Sequence, residues 1–313
     1  LISTQKVVIG IPTYKRPQGL LKLLDSVTQL NIFGLDVTVV VAENDCDELA
    51  GAKLVDAIKN EYALPLKVLR VEKRGISFVR NALLDCAFTE HQADYLAMVD
   101  DDEWVEPNWL QALVKAQQKL GCEVIGGVAK AEFAQEVPDW ATELSIYFPE
   151  QANTTSEIEL LESTASVLLH KQVYCAFDQH RFDPFYSIYG GGDKEYFTRL
   201  KASGVKFAVA HEAISHELYS DSRATKAWAT ERAFRIGAAD MRIILLHHKH
   251  LARISIECIK IVLGGVVGLA YFYLPFVSAS KKMKGRLLYI RQVGKISGLF
   301  NQQRPVYKKT HGK

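Results

Sequence analysis

The chain has 313 residues, 48% hydrophobic and 24% charged, which excludes a disordered chain and allows a large core and as many as two domains. The formal net charge of +2 is unevenly spread: from Cys258 onward there are 11 Lys and Arg and no acid, whereas the preceding body holds 27 Lys and Arg against 36 Asp and Glu, a net of −9. An acidic body argues against a general nucleic-acid binder, and a basic tail suits contact with anionic lipid. Cys46, Cys86, Cys122, Cys175 and Cys258 are scattered without CxxC or Cys/His spacing, which reads as reduced, structural thiols of a cytosolic protein. The opening LISTQKVVIG has no signal-peptide pattern and enters a strand almost at once.

In chain order, Val7 to Ile11 reads as a strand, and Pro17 opens a helix with Leu20, Leu23, Leu24 and Val27 on one face. Val37 to Ala42 is a second strand, Leu49 to Tyr62 a helix, and Lys67 to Val71 a third strand. Ser77 is the expected N-cap of a helix reaching about His91. Tyr95 to Val99 is a fourth strand, and Pro107 starts another helix. Alternating strands and helices predict a parallel sheet covered on both faces, with ligands outside the C-terminal strand ends. That rule gathers PTYKRP, ENDCD and DDDE in one crevice.

Residues 131 to 163, with Pro138, Trp140, Pro149 and QANTTSE, read as loops and a lid. Ser166 to Leu169 is a strand, Tyr189 to Asp193 a glycine-rich turn, and Lys194 to Ser203 a helix. Ile261 to Val277 is a run of 17 residues without charge, short for a bilayer span of about 20 apolar residues. Gly264, Gly265, Gly268 and Pro275 argue against a straight spanning helix, and Lys281, Lys282, Lys284, Arg286 and Arg291 follow. The pattern predicts an in-plane or re-entrant anchor on the cytoplasmic leaflet. The expected division is a catalytic domain over 1–240 and a helical membrane-associating region over 241–313.

The chemistry concentrates in MVDDDEWVEP, Met98 to Pro107. Side chains alternate along an extended segment, so Asp100 and Asp102 face one way and Asp101 the other. Paired carboxylates at a strand end suit a hard divalent cation, which takes one or two protein carboxylates and fills its shell with water and substrate phosphates. A solvated acidic loop is the plain alternative for these residues alone. Glu103 and Glu106 are expected to lead into the Pro107 helix, where negative charge is favoured, with no catalytic role.

Five ordered motifs break that tie: VVIGIPTYKRPQGLLKLLDSV, VVVAENDCDE, EKRGISFVRNALLDCA, ADYLAMVDDDEWVEPNWLQALV and RFDPFYSIYGGGDKEYFTRL. From Val7 to about Gly237 the chain resembles the inverting glycosyltransferases of family 2, and its GISFVRN and DDDEWVEP pair looks like the exopolysaccharide-type glucosyltransferase subgroup. The resemblance implies the α/β GT-A fold, a Rossmann-like, mostly parallel sheet with helices on both faces. It implies a nucleotide-diphosphate sugar donor, UDP-linked by preference, and a Mn²⁺ or Mg²⁺ cofactor. Pro12, Thr13 and Tyr14 would wall the nucleotide pocket, with Arg16 near the phosphates. Glu43 stands where the family usually has an Asp contacting the nucleobase, beside a matching Asn44, and this departure leaves the base open. Gly75 would let backbone approach the ligand, and Arg80, in the first turn of its helix with Asn81, would reach the nucleotide or pair with the acids.

Asp100 and Asp102 align with the DxD pattern, Asp102 on the metal and Asp100 on ribose or metal-bound water. Asp101 belongs to the same nucleotide-sugar-binding segment, its side chain turned to backbone. Gly190-Gly191-Gly192-Asp193 replaces the family's Gly-Glu-Asp turn and leaves Asp193 as general base, with helix capping as its plain alternative. Of His211 and His216, the latter fits a metal or diphosphate contact, and Arg223 would neutralise the leaving diphosphate. Trp104, Trp109 and Trp140 are candidates for sugar stacking, Trp109 doubling as core. The acceptor implied is a growing surface glycan on a lipid carrier, reached from the cytoplasmic face of the inner membrane. Two rivals stay open. A nucleotidyltransferase would want a glycine-rich basic loop after the first strand, which PTYKRPQG is not. A membrane-associated scaffold with a degenerate site takes its support from the Glu43 and Gly192 departures.

Overall fold

The computed structural model describes residues 4–149, 153–175, 181–247 and 251–300. Its first half alternates strand and helix: β1 (Gln5–Thr13), α1 (Pro17–Val27), β2 (Leu35–Glu43), α2 (Ala50–Ile58), β3 (Leu66–Arg70), α3 (Ile76–Asp85) and β4 (Tyr95–Val99). The expected strands and helices are all present. A π-helical turn, Cys86–Glu90, carries α3 to the predicted end near His91. Ser77 is not the N-cap of α3. Gly75 takes that position at φ 135°, and the Ser77 hydroxyl donates to the Asp183 carbonyl instead (2.9 Å). Gly75 has no Cβ because Ser187 is in the way: an added Cβ would lie 2.5 Å from that of Ser187, so the close approach is to protein.

The second half holds β5 (Glu103–Val105), α4 (Trp109–Leu120), β6 (Val124–Phe133), β7 (Ser156–Ile158), β8 (Ser166–His170), α5 (Gln172–Cys175), α6 (Tyr186–Tyr189), α7 (Gly192–Ala202) and β9 (Phe207–Tyr219). The sheet runs β3-β2-β1-β4-β8-β6-β9-β5, with β7 on β9. It is parallel across β3-β2-β1-β4 and mixed beyond, because β8 joins β4 antiparallel and β5 joins β9 antiparallel. Strand alternation divides the core by face. Val7, Ile9, Ile11, Ala97 and Val99 pack with α1 and α4, while Val8, Leu96 and Met98 pack with Val79, Leu83, Leu84 and Phe197.

The stretch after β6 is not open loop throughout. Ala141, Leu144 and Tyr147 are buried in an aromatic cluster with Phe133, Tyr219 and Trp228. The chain ends in α8 (Lys226–His247), α9 (Leu251–Tyr273) and α10 (Ala279–Leu299). Gly264, Gly265 and Gly268 do not interrupt α9, and Pro275 falls beyond its end, so the predicted break is absent and Ala252–Tyr273 is long and apolar enough to cross a membrane. The glycines serve close packing: a Cβ on Gly268 would lie 2.8 Å from the Gly285 carbonyl of α10, and one on Gly294 2.1 Å from the Phe234 carbonyl of α8.

Candidate active site

The C-terminal ends of β1, β2 and β4 do meet, and three arginines reach the acids there. Asp101 is 5% exposed, but the chain turns at Asp101 and Asp102 instead of staying extended, so the expected alternation does not hold and Arg16 reaches the carboxylates of both. The Asp101 carboxylate accepts from the Thr13 hydroxyl (2.9 Å), the Tyr14 amide (3.3 Å) and Arg16 Nη1 (3.0 Å). It therefore braces the turn after β1, whose Lys15 sits at φ 55°. Arg16, just before Pro17, also donates to Asp102 Oδ2 at 2.9 Å. The same oxygen meets Arg223 Nη1 at 2.8 Å, and Arg223 reaches Glu217 on β9 at 3.2 Å. On the other side of the acids, Arg80 of α3 stands 3.6 Å from Asp100 Oδ1 and pairs tightly with Asp193 Oδ1.

Burial raises the carboxyls of Asp100 and Asp101, against the pull of Arg80 on the first and Arg16 on the second. Glu103 is pushed well above the ordinary range, by burial first and then by Asp100 and Glu217. It is not at a helix start. It opens β5 opposite Glu217, 1% exposed, and accepts from the Asp100 amide at 3.3 Å and the Ser215 hydroxyl at 3.4 Å.

Asp193 lies in the first turn of α7, after Gly190 and Gly191 at φ 77° and 83°. Gly191 is the N-cap, so Asp193 does not cap its own helix. The turn rests on α8, where a Cβ on Gly191 would come 2.6 Å from that of Ala239. Lys194 ties α7 to the buried Asp240 of α8 (2.9 Å), which also holds Arg291 of α10 (2.6 Å). The Asp193 turn is thus buttressed by the C-terminal helices.

Several other predicted residues have different partners. Glu43 is not turned to a nucleobase. Its buried carboxylate accepts from the amides of Asp45 (2.8 Å), Gly51 (2.6 Å) and Ala52 (3.1 Å), fixing the loop after β2 to the start of α2. Asn44 donates to Val71 O (2.8 Å) and Lys73 O (3.0 Å) and accepts from the Gly75 amide (2.7 Å), so it clamps the β3–α3 loop. His216 is not at the acids. Along β9 Ser215 and Glu217 face Glu103 and Arg223, so alternation turns His216 to the opposite face. There its ring nitrogens meet Glu132 (3.0 Å) and Glu106 (3.2 Å), and the ring stacks on Trp104. Trp109 is fully buried, donating to Ser166 Oγ, and is core only. Trp140 packs on Tyr147, and His211 lies on β9. Pro12 and Thr13 are buried at the end of β1, and Tyr14 has the Arg74 guanidinium 5.1 Å from its ring.

Sequence reading missed two residues. Asp45, in the same ENDCD stretch, is 1% exposed and has a buried Oδ2 with no partner among the described residues. Thr164, one residue past the stretch read as lid, donates through both its amide (3.2 Å) and hydroxyl (3.0 Å) to Asp193 Oδ2. No periodicity or motif marks Thr164, whereas Asp45 is open to view as the second acid in its motif.

No group of three or more His, Cys, Asp or Glu side chains among the described residues is arranged to hold a metal by itself. The two-carboxylate set still fits an ion that completes its shell from phosphates and water. Asp100 supplies hard oxygens, is 32% exposed, and meets Arg80 only beyond hydrogen-bond distance.

A sheet with acids converging at its parallel strand ends, arginines among them and a further carboxylate on a facing helix is the layout of a GT-A nucleotide-sugar transferase. The family model described as "Glycosyl transferase family 2" matches residues 8–176, and the chain belongs to that family of glycosyltransferases. It is 29% identical over 301 residues to the "Succinoglycan biosynthesis protein ExoM" of Rhizobium meliloti (strain 1021), covering 95% of this chain and 94% of the relative. Residues 1–349 of S. aureus TarS in complex with UDP share the fold, with TM-score 0.54 and 15% identity over 99% of this chain and 95% of that one. So does GalNAc-T7 with UDP, GalNAc and Mn²⁺, with TM-score 0.58 and 15% identity over 90% of this chain and 54% of that one.

Proposed function

We propose that this enzyme moves a sugar, with inversion, from a UDP-sugar to a hydroxyl of a growing bacterial surface glycan, with Asp193 as general base. The observation that carries the reading is the position of Arg80 between Asp100 and Asp193, which sets the candidate base next to the donor-side acids. The succinoglycan role named for the Rhizobium relative supports an exopolysaccharide product. The UDP-bound neighbours support the donor class.

Asp100 and Asp102 would hold a Mn²⁺ or Mg²⁺ ion, which supplies neutralisation of charge on the leaving diphosphate when bound. Arg16, Arg80 and Arg223 add fixed positive charge at the same place, and guanidinium suits bidentate phosphate contact. Asp45, whose Oδ1 lies 3.6 Å from Lys15 Nζ and whose Oδ2 has no hydrogen-bond partner among the described residues, keeps acceptor capacity for a base N–H that Glu43 has spent on three amides. As the acceptor oxygen bonds to the anomeric carbon and the bond to the diphosphate breaks, the hydroxyl proton passes to the Asp193 carboxylate. An α-linked donor then gives a β-linkage.

We also propose that the 241–313 region holds the enzyme on the cytoplasmic face of the inner membrane. Val262, Leu263, Val266, Phe272, Tyr273 and Phe276 are exposed, and Lys281, Lys282 and Lys284 open α10 beside that apolar end. Lysines beside the aromatic tip favour a helix pair lying in the interface over one that spans.

The test is UDP release and sugar transfer from a panel of UDP-hexoses with Mn²⁺ and a lipid extract from glycan-producing cells. Asp193→Asn should keep UDP binding and lose about 10²–10⁴-fold in transfer. Transfer at the wild-type rate by that variant would remove the base assignment. Consumption of UTP with a sugar 1-phosphate would favour a nucleotidyltransferase, and no turnover with any donor a scaffold.

A further inference from the structure

We propose, resting on the reading of Asp193 as the base, that Thr164 is a positioning residue that fixes that carboxylate in place. Asp193 Oδ2 takes two hydrogen bonds from this one residue, the amide at 3.2 Å and the hydroxyl at 3.0 Å, while Oδ1 faces Arg80. Donors on both oxygens fix the plane of the carboxylate as well as its place. Thr164 is fully buried, so water competes poorly for the hydroxyl.

The residue stands on rigid ground. It precedes β8 by two positions, and Ser166, the first residue of β8, accepts from the Trp109 indole at 2.8 Å. Thr164 thereby carries the rigidity of the central sheet to a base that otherwise sits on a glycine turn. A general base works only within hydrogen-bond reach of the proton it takes, so loss of this support lowers the rate of transfer more than donor binding.

The experiment compares Thr164→Ala, Thr164→Ser and wild type by two readouts. The first is kcat and donor KM for sugar release from the UDP-hexose that the wild type cleaves fastest among UDP-glucose, UDP-galactose and UDP-N-acetylglucosamine. The second is UDP binding by calorimetry, which needs no turnover. Thr164→Ala should lower kcat about 10-fold with the donor KM and the UDP affinity within about twofold. Thr164→Ser, which keeps the hydroxyl, should restore kcat. If alanine unfolds the chain, Thr164→Val fills the space and removes the same donor.

Wild-type kcat in a folded Thr164→Ala or Thr164→Val enzyme overturns the proposal, as does a loss of kcat that Thr164→Ser does not restore. A lowered kcat in Thr164→Ala beside an Asp193→Asn variant that still works at the wild-type rate overturns it differently: the base reading falls and Thr164 is left as a structural tie.

Discussion

Glu257 is the single acid of α9, and its removal is a quantitative test of how the C-terminal helices are held. It is 3% exposed, and its two oxygens accept from Lys260 of the same helix and Lys295 of α10, each at 2.9 Å. Burial pushes the carboxyl up, but the hydrogen bonds and charges of Lys260 and Lys295 outweigh it and hold the group at about 2, below its ordinary 4.5. A carboxyl depressed in the folded state adds stability that is present above its unfolded value and is lost as pH falls through the folded one. The full difference is worth about 3.4 kcal/mol at pH 7. With Lys260 54% exposed, solvent screening reduces this to about 2–3 kcal/mol.

Glu257→Gln should therefore be about 2–3 kcal/mol less stable than wild type at pH 7, and roughly two-fifths of that gap should vanish by pH 3.5. Urea unfolding followed by circular dichroism at the two pH values measures it. A gap below about 0.5 kcal/mol at pH 7, or one that does not change with pH, would refute the reasoning.

Asp102→Ala should lose metal-dependent UDP affinity. Unchanged Mn²⁺-dependent UDP binding by calorimetry would sink the metal assignment. His216→Phe keeps a ring on Trp104 and should leave Mn²⁺ affinity and transfer within about threefold of wild type, because the imidazole faces away from the acids. A 10-fold loss of Mn²⁺ affinity would return His216 to the metal. Glu43→Gln disturbs three amide contacts and should cost about 1.5–3 kcal/mol in urea unfolding, and a loss under about 0.5 kcal/mol would free Glu43 for a ligand role.

The sequence by itself determined the order of elements and the crevice. Alternation in VVIGI, VTVVVA and YLAMV, with amphipathic helices between them, leaves few arrangements other than a parallel sheet covered on both faces. The order of elements is a short-range consequence of backbone geometry, and it survives folding because no distant contact opposes it. Side-chain alternation does not carry beyond β4, because the chain turns at Asp101 and Asp102 and Arg16 gathers both carboxylates.

The tertiary structure decided what compensates the acids and which candidates share a site. Arg16, Arg80 and Arg223 lie far apart in sequence, and only the packing of α1, α3 and the segment after β9 brings them to one cluster. Glu43 stood in the family's position but is consumed by backbone donors at the start of α2, a demand that arises once that helix docks. His216 had suitable spacing, yet the register of β9 against β5 set its face. Thr164 carried no signal at all, since its role exists only where the chain before β8 passes the turn before α7. Local pattern fixes the face a residue takes on its own element, whereas long-range packing selects its neighbours, and the chemistry of this site depends on neighbours.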